Sequence, residues 1–193
     1  VFFLSLPILL LTETIIFWWL KLVPDYVVLY TRLILIDLLI ITQYPSIASV
    51  SQATGKIKYY QLTIALGFLF TFLLTLVSYK LGFPSHFAFI IMIAMSALGL
   101  AARLLILKYQ LSFPIRDYIK KVLLKVFGVL VLSIPIPLMF SMFYDNTTYR
   151  FLSVCFTSVL FTVIAIWYVG LETRERSFFS LKIKETIKSI KIK

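Results

Sequence analysis

Six apolar runs, each about as long as a bilayer is thick, divide almost the whole sequence and constrain its fold more than any other feature. The runs cover residues 2–20, 26–50, 61–80, 87–107, 122–143 and 149–170. Hydrocarbon offers a backbone no hydrogen-bond partners, and the runs lack the two-residue period of barrel strands, so each run is predicted to be a helix. We therefore expect an all-α, polytopic membrane bundle of about six transmembrane helices over residues 1–170.

Most of the nineteen Lys and Arg residues lie in every second gap between these runs. The basic segments are the gap with Lys56 and Lys58, residues 103–125, and the tail 171–193. Since basic loops stay in the cytoplasm, both ends of the chain are predicted to be cytoplasmic. The tail repeats isoleucine at helical spacing between lysines, which predicts a basic amphipathic helix on the cytoplasmic leaflet. A solvated tail is the alternative.

The composition excludes several classes of protein. A hydrophobic fraction of 61% and a mean hydropathy of +1.00 exceed those of soluble domains. The net charge is +11, and its basic residues are concentrated on the predicted cytoplasmic side, opposite anionic lipid headgroups. A nucleic-acid partner is therefore not expected. Cys155 is the single cysteine, and His86 is the single histidine. We therefore expect no internal disulfide, no metal and no cofactor, and we interpret His86 as an interfacial residue.

Among the ionisable residues inside predicted spans, where burial of a charge is costly, three stand out: Glu13, Arg32 and Asp37. Glu13 and Asp37 are candidates for ion or proton coupling. Glu13 is alternatively a partner for Arg32, or a residue near a water-exposed helix end. Arg32 and Asp37 are five residues apart, about 140° around a helix, so an ion pair within the helix is not expected.

The second run is the most polar, and its polar residues fall on two helical faces. Asp37 shares one face with Tyr26, Tyr30, Tyr44 and Ser51, and Arg32 shares the other with Gln43 and Ser46. Hydroxyls and aromatic rings beside one carboxylate suit a sugar-binding cavity. The planar guanidinium of Arg32 suits a phosphate or an acidic sugar. The predicted cavity residues are Arg32, Asp37, Gln43, Tyr30 and Tyr44. An interhelical network that only fixes packing remains the alternative.

Prolines are predicted to break three runs. Pro7 lies in the first, Pro45 in the second, and Pro135 and Pro137 in the fifth. Broken helices line cavities in transporters, although proline is also frequent in membrane helices generally. Gly55 is predicted to take a left-handed C-cap conformation.

Arg103 shares a helical face with Ser96 and Gly99, which indicates close helix packing beside a snorkelling, structural arginine. No metalloprotease, P-loop or nucleophile-elbow motif is present in the sequence, and the gaps are short. An enzyme is therefore not expected.

Several segments resemble the C-terminal part of the Wzx-type polysaccharide flippases, which belong to the superfamily that includes MATE exporters. The segments are VPDYVVLYTRLILIDLLI, QATGKIKYYQ, YKLGFPSHF, RLLILK, FPIRDYIKKVLLK and GLETRERSF. The resemblance covers nearly the whole chain, although each motif is short and partly apolar. The chain also opens on Val1 within an apolar run, from which we expect a piece of a larger protein.

The resemblance implies a two-lobed transporter of about twelve or more helices in the bacterial cytoplasmic (inner) membrane. Its cargo would be an undecaprenyl-diphosphate-linked oligosaccharide for O-antigen or other surface polysaccharide. It would work by alternating access, in functional association with a polysaccharide polymerase and glycosyltransferases. The polar, often cationic cavity of the family is carried over to Arg32, Asp37 and Gln43 in the matching segment.

Three rival interpretations stay open at this point. The first is a MATE-type antiporter that exports small molecules in exchange for a cation. The second is a membrane enzyme of glycan assembly, which is disfavoured because no large outer loop is present. The third is a scaffold, which would tolerate apolar replacements of Arg32, Asp37 and Gln43.

Overall fold

The structure, a computed structural model, describes residues 2–53, 55, 57–111, 113–143, 147–171, 175–177 and 182. Most of these residues are helical and none of them forms a strand, which confirms the predicted all-α class. The α-helices are α1 (Phe2–Leu10), α2 (Thr12–Leu20), α3 (Val27–Ile41), α4 (Tyr44–Ala53), α5 (Ile57–Lys80), α6 (His86–Leu111), α7 (Ile115–Tyr118), α8 (Leu124–Ser133), α9 (Pro135–Phe143) and α10 (Thr147–Ala165). Short π-helical segments cover Ile119–Leu123 and Ile166–Gly170.

Within the described residues, five helical stretches are long and apolar enough to cross a membrane, so the chain is a multi-pass helical membrane protein. They are Val27–Ala53, Ile57–Lys80, His86–Gln110, Ile115–Phe143 and Thr148–Gly170. Each corresponds to one of the last five predicted runs. The chain divides into two compact units, Val1–Tyr118 and Ile119–Lys193, which are described separately below.

The first predicted run, 2–20, is broken, but the break is not at Pro7, which lies inside α1. It breaks at Leu11, whose backbone leaves the helical region at φ −110° and ψ 22°. Beside the break, the buried Thr12 hydroxyl donates to the Ile8 and Leu9 carbonyls at 2.7 and 3.1 Å. Such bonding back to the preceding turn bends a helix, and Pro7 has already removed one backbone donor. The run therefore forms two helices of nine residues each.

The second run breaks where Pro45 requires it. Proline clashes with the carbonyl four residues earlier, which belongs to Ile41, and α3 ends at Ile41. The chain continues through Thr42 and Gln43, whose backbone N–H groups donate to Leu38 and Ile40 at 3.0 and 3.1 Å. The bond of Gln43 reaches back three residues instead of four, which interrupts the α-helical pattern before α4 begins. The predicted break is thereby confirmed.

The fifth run breaks at Ile134, directly before Pro135, which confirms the prediction for that proline. Pro135 then takes the first position of α9, where its missing N–H costs nothing. Gly55 has φ +70°, as predicted for a left-handed C-cap. Of the tail 171–193, only Leu171, residues 175–177 and Lys182 are described, so the predicted amphipathic helix lies outside the described residues.

The core of the first unit lies where α4, α5 and α6 meet. Ile47, Tyr60, Leu104 and Leu107 form a buried cluster, against which Tyr118 packs. Away from its contact with α6, the rest of α5 exposes large apolar side chains around most of its surface, including Phe68 at 74% and Phe72 at 61%. Apolar surface all around a helix is typical of a membrane span rather than of a soluble surface helix.

The second unit is held by α10, which packs against α8 and α9. Its fully buried side chains are small or branched, such as Val154, Ser158 and Thr162. Gly128 of α8 lies close to the π-helical segment, since a Cβ at that position would be 3.1 Å from Cγ1 of Val169. Small residues at such contacts let membrane helices approach closely.

Candidate functional site

The start of the predicted tyrosine face lies against α6. The Tyr30 ring stacks on Phe89, with centroids 4.9 Å apart and 25° between the planes. The Tyr30 hydroxyl shares a hydrogen bond with the Ser85 hydroxyl, and the Tyr26 ring stacks on the other side at 6.2 Å. This end of the face therefore contacts protein and anchors α3 to α6.

Asp37 lies further along the same face and is only 3% exposed. Its Oδ1 atom is buried and has no hydrogen-bond partner among the described residues. Seven residues separate Asp37 from Tyr30 and from Tyr44, roughly 10 Å of helix in each direction. The carboxylate is thus held inside the span, between two tyrosines, with an acceptor left open. Burial of an unpartnered acceptor is unfavourable, so such a group is a candidate for binding a donor or a cation.

Tyr44 begins α4 and connects it to α6. Its hydroxyl donates to the Ser96 carbonyl at 2.6 Å. The Arg103 guanidinium carbon lies 3.8 Å from the centre of the Tyr44 ring and 5.6 Å from that of Tyr60. Gly99 makes room for this arrangement, because a Cβ there would be 3.0 Å from Arg103 Nη1 and 3.3 Å from the Tyr44 hydroxyl. The predicted close packing at Gly99 is confirmed.

Arg103 belongs to the candidate site. From the sequence it was predicted to be a structural, snorkelling residue. It is 6% exposed, and its Nε and Nη1 atoms have no acceptor among the described residues. The shared face with Ser96 and Gly99 was a usable signal, since small residues allow a guanidinium to lie inside a helix contact. The residue spacing within α6 could not predict the two rings that contact the Arg103 guanidinium, because Tyr44 belongs to α4 and Tyr60 to α5.

The other predicted site residues are not brought together with Asp37. Arg32 is exposed on the outside of the first unit, and Gln43 is half-buried in the break between α3 and α4. Glu13 is also exposed, on α2. The two polar faces of the second run are therefore placed differently, with Asp37 and Tyr44 inside the unit and Arg32 outside it. The roles predicted for Arg32, Gln43 and Glu13 stay predictions.

The fully buried polar residues described in the second unit carry hydroxyl groups, while Arg150 and Arg176 are only partly buried, each with a buried Nε that has no partner there. Ser133, Ser158 and Thr162 are each 0% exposed. The Ser158 hydroxyl donates to the Cys155 carbonyl at 3.0 Å, whereas Ser133 Oγ and Thr162 Oγ1 have no partner in the described part of the chain. These groups resemble the small polar residues that permit close helix packing in membranes.

Comparison with known proteins does not extend this description. The chain matches no family model, and no curated protein and no solved structure is significantly similar to it. The likeness to Wzx-type flippases therefore rests on the sequence segments quoted above, and the transport function stays a proposal.

Proposed function

We propose that the chain is part of a transporter that moves undecaprenyl-diphosphate-linked oligosaccharides across the bacterial cytoplasmic membrane. The observation that carries this proposal is the Asp37 carboxylate, which is buried within a span, has an oxygen without a partner, and lies between Tyr30 and Tyr44. The multi-pass helical architecture and the sequence likeness support the same function.

The chemistry of a glycan headgroup fits this part of the molecule. Sugar hydroxyls are donors whose hydrogen bonds a carboxylate oxygen accepts, and pyranose rings pack well on aromatic rings such as that of the exposed Tyr26 on the same helix face. A glycan cannot cross hydrocarbon unaided, because its hydroxyls and phosphates would lose their water. The protein needs only to supply a polar path while the prenyl tail stays in lipid, so no catalytic group is required.

Arg32 has a separate role in the proposal. An arginine exposed on a span needs water, a headgroup or another part of the protein, because hydrocarbon cannot solvate it. Its planar guanidinium suits the diphosphate or an acidic sugar of the cargo. We propose that Arg32 faces the hydrated passage from outside the first unit and that Gln43 lies beside the passage at the helix break.

Movement of the cargo requires a bistable element, and the broken helices supply one. The breaks at residues 42–43 and at Ile134 interrupt the second and fifth runs. Such breaks absorb changes in backbone angle when one lobe of a transporter rocks against the other. The proposal includes cytoplasmic chain ends, from the distribution of basic residues, and cooperation with polymerase and glycosyltransferases.

A second candidate function is a cation-coupled antiporter of small molecules, and the same carboxylate favours it. A buried membrane carboxylate with an open oxygen also suits a proton or metal cation. The two functions make different demands on Asp37. Sugar binding needs an acceptor oxygen at this position, whereas cation coupling needs a negative charge.

The test compares Asp37→Asn, Asp37→Leu and Arg32→Ala in cells that depend on the protein for surface polysaccharide. Asn keeps one acceptor oxygen and removes the charge, while Leu removes both. We expect Asp37→Leu and Arg32→Ala to strand lipid-linked repeat units on the cytoplasmic leaflet. Asp37→Asn should retain flipping within about tenfold, since one hydrogen bond is kept.

The control is Asp117→Asn, which removes an exposed carboxylate from α7, and expression of every variant is measured alongside. Normal surface polysaccharide in both Asp37→Leu and Arg32→Ala would overturn the flippase proposal. Complete loss of cation-driven drug efflux in Asp37→Asn, with polysaccharide unchanged, would establish the antiporter instead.

A further inference from the structure

Arg103 is a full positive charge enclosed by protein, and its surroundings do not neutralise it. Its guanidinium lies against the Tyr44 and Tyr60 rings, at 3.8 and 5.6 Å. Ring faces attract a cation but accept no hydrogen bonds in the plane of the guanidinium. Nε and Nη1 are therefore two buried donors for which the described residues provide no acceptor.

The buried carboxylate of the same unit is not the missing partner. Arg103 contacts Tyr44, whereas Asp37 is seven residues before Tyr44, roughly 10 Å back along the helix axis. Oδ1 of Asp37 and both Arg103 donors are each without a partner, so the two charges do not pair. The acceptor for Arg103 is thus to be sought outside the described part of the protein.

The position of Arg103 favours a ligand that enters from the membrane surface. It lies eight residues before the end of α6, roughly 12 Å from that end, and its side chain spans only part of that distance, so the headgroup has to enter between the helices to meet it. Three exposed cations surround this end of the unit: Lys58 at the start of α5, Lys108 near the end of α6, and Arg116 in α7. Such a basic rim attracts anionic lipids.

We propose that Arg103 binds the phosphate of an anionic membrane lipid, whose headgroup is attracted by Lys58, Lys108 and Arg116. Phosphate oxygens supply the acceptors that Nε and Nη1 lack, in the charge-assisted geometry that arginine favours. The exposed Leu62 and Leu66 follow Tyr60 along α5 and offer an apolar surface to the acyl chains. The lipid stabilises the junction of α4, α5 and α6, and this role is independent of the proposed transport.

The test uses the chain purified in a maltoside detergent, which contains no phosphate. Phosphatidylglycerol is added, and its retention is measured by native mass spectrometry. We expect Arg103→Gln to weaken retention about tenfold and Arg103→Lys, which keeps the charge but not the planar group, about threefold. The matched control Lys80→Gln removes an exposed charge from the far end of α5, outside the basic rim, and should change retention by less than about twofold.

A second measurement follows the thermal unfolding of the unmodified chain, so that the result does not depend on a variant that folds poorly. Phosphatidylglycerol should raise Tm, whereas diacylglycerol with the same acyl chains and inorganic phosphate should not. Retention of phosphatidylglycerol by folded Arg103→Gln at the level of the unmodified chain would overturn the proposal. So would equal protection by diacylglycerol, and equal protection by inorganic phosphate would overturn the assignment to a lipid.

Discussion

The two units of the chain bury polar groups of different kinds. In the described residues of the first unit, the ionisable residues Asp37 and Arg103 are buried in addition to hydroxyl residues such as Thr12 and Ser78, and both have atoms that lack partners. In those of the second unit, the buried polar side chains are the hydroxyl residues Ser133, Ser158 and Thr162. A buried hydroxyl without a partner costs about 1–3 kcal/mol, whereas a buried unpaired charge costs several kcal/mol.

This difference indicates which buried polar groups serve helix packing and which serve ligand binding. Hydroxyls are small enough to let α8, α9 and α10 approach closely, and that benefit explains why they are present. Oδ1 of Asp37 and two donors of Arg103 are buried without partners, although the Arg103 guanidinium packs on two rings, and polar groups left unsatisfied in this way are typical of a functional site. We therefore place the ligand-binding chemistry of the chain in the first unit.

The largest expected effect comes from neutralising the buried carboxylate. Asp37→Asn removes a charge without changing the shape of the side chain. We expect the free energy of unfolding in mixed micelles to rise by about 2 kcal/mol, because an uncompensated charge no longer has to be buried. Asp117→Asn, at an exposed position, should change it by less than about 0.5 kcal/mol. A loss of stability in Asp37→Asn would mean that the carboxylate is paired, and the contrast between the units would fail.

In the second unit the buried group without a partner is a hydroxyl and not a carboxylate, so the gain in the free energy of unfolding on removing it should be smaller. Thr162→Val keeps the shape of the side chain and removes the buried Oγ1, which has no partner. We expect a gain of about 1 kcal/mol in the free energy of unfolding. Ser158→Ala on the same helix removes a hydroxyl that does donate, to the Cys155 carbonyl, and should give no gain. Equal gains in both variants would show that the missing partner is not the cause.

Much of the fold could be predicted because the lipid environment leaves few choices. Five of the predicted runs correspond to helices that are long enough to span, and the breaks before Pro45 and Pro135 follow from the chemistry of proline. The break at Leu11 was less predictable. It depends on which carbonyl the Thr12 hydroxyl bonds, and residue spacing does not determine that choice.

The candidate site could be predicted only where one helix carries it. Asp37 and Tyr44 share a face, and spacing identified both. The Arg103 cluster could not be predicted, because its rings are contributed by α4 and α5 while the arginine is on α6. The separation of Arg32 from Asp37 followed from their angular offset, but the sequence did not determine which of the two faces would turn inward.

Glycine-to-alanine substitutions compare how closely the helices approach one another in the two units. Gly67→Ala meets no atom within 4 Å and should gain up to about 1 kcal/mol from helix propensity. Gly99→Ala should give little of this increase in stability, since its Cβ would be 3.0 Å from Arg103 Nη1. The clash is moderate because Nη1 is at the end of a flexible side chain. Gly128→Ala should be the least stable, because Val169 at 3.1 Å is β-branched and has little freedom to move. Equal stabilities in micelles would contradict this order.

The smallest expected effect concerns the single hydrogen bond between α4 and α6. Tyr44→Phe keeps the ring beneath Arg103 and removes the hydroxyl that donates to the Ser96 carbonyl. Hydrogen bonds between membrane helices contribute about 0.6 kcal/mol on average, and we expect a loss of this size in the free energy of unfolding. Retention of phosphatidylglycerol should stay close to that of the unmodified chain, because the cation–π contact survives. A large loss of lipid in Tyr44→Phe would show that the hydroxyl, rather than the ring, positions Arg103. The Tyr44 hydroxyl would then serve ligand binding as well as the packing of α4 on α6.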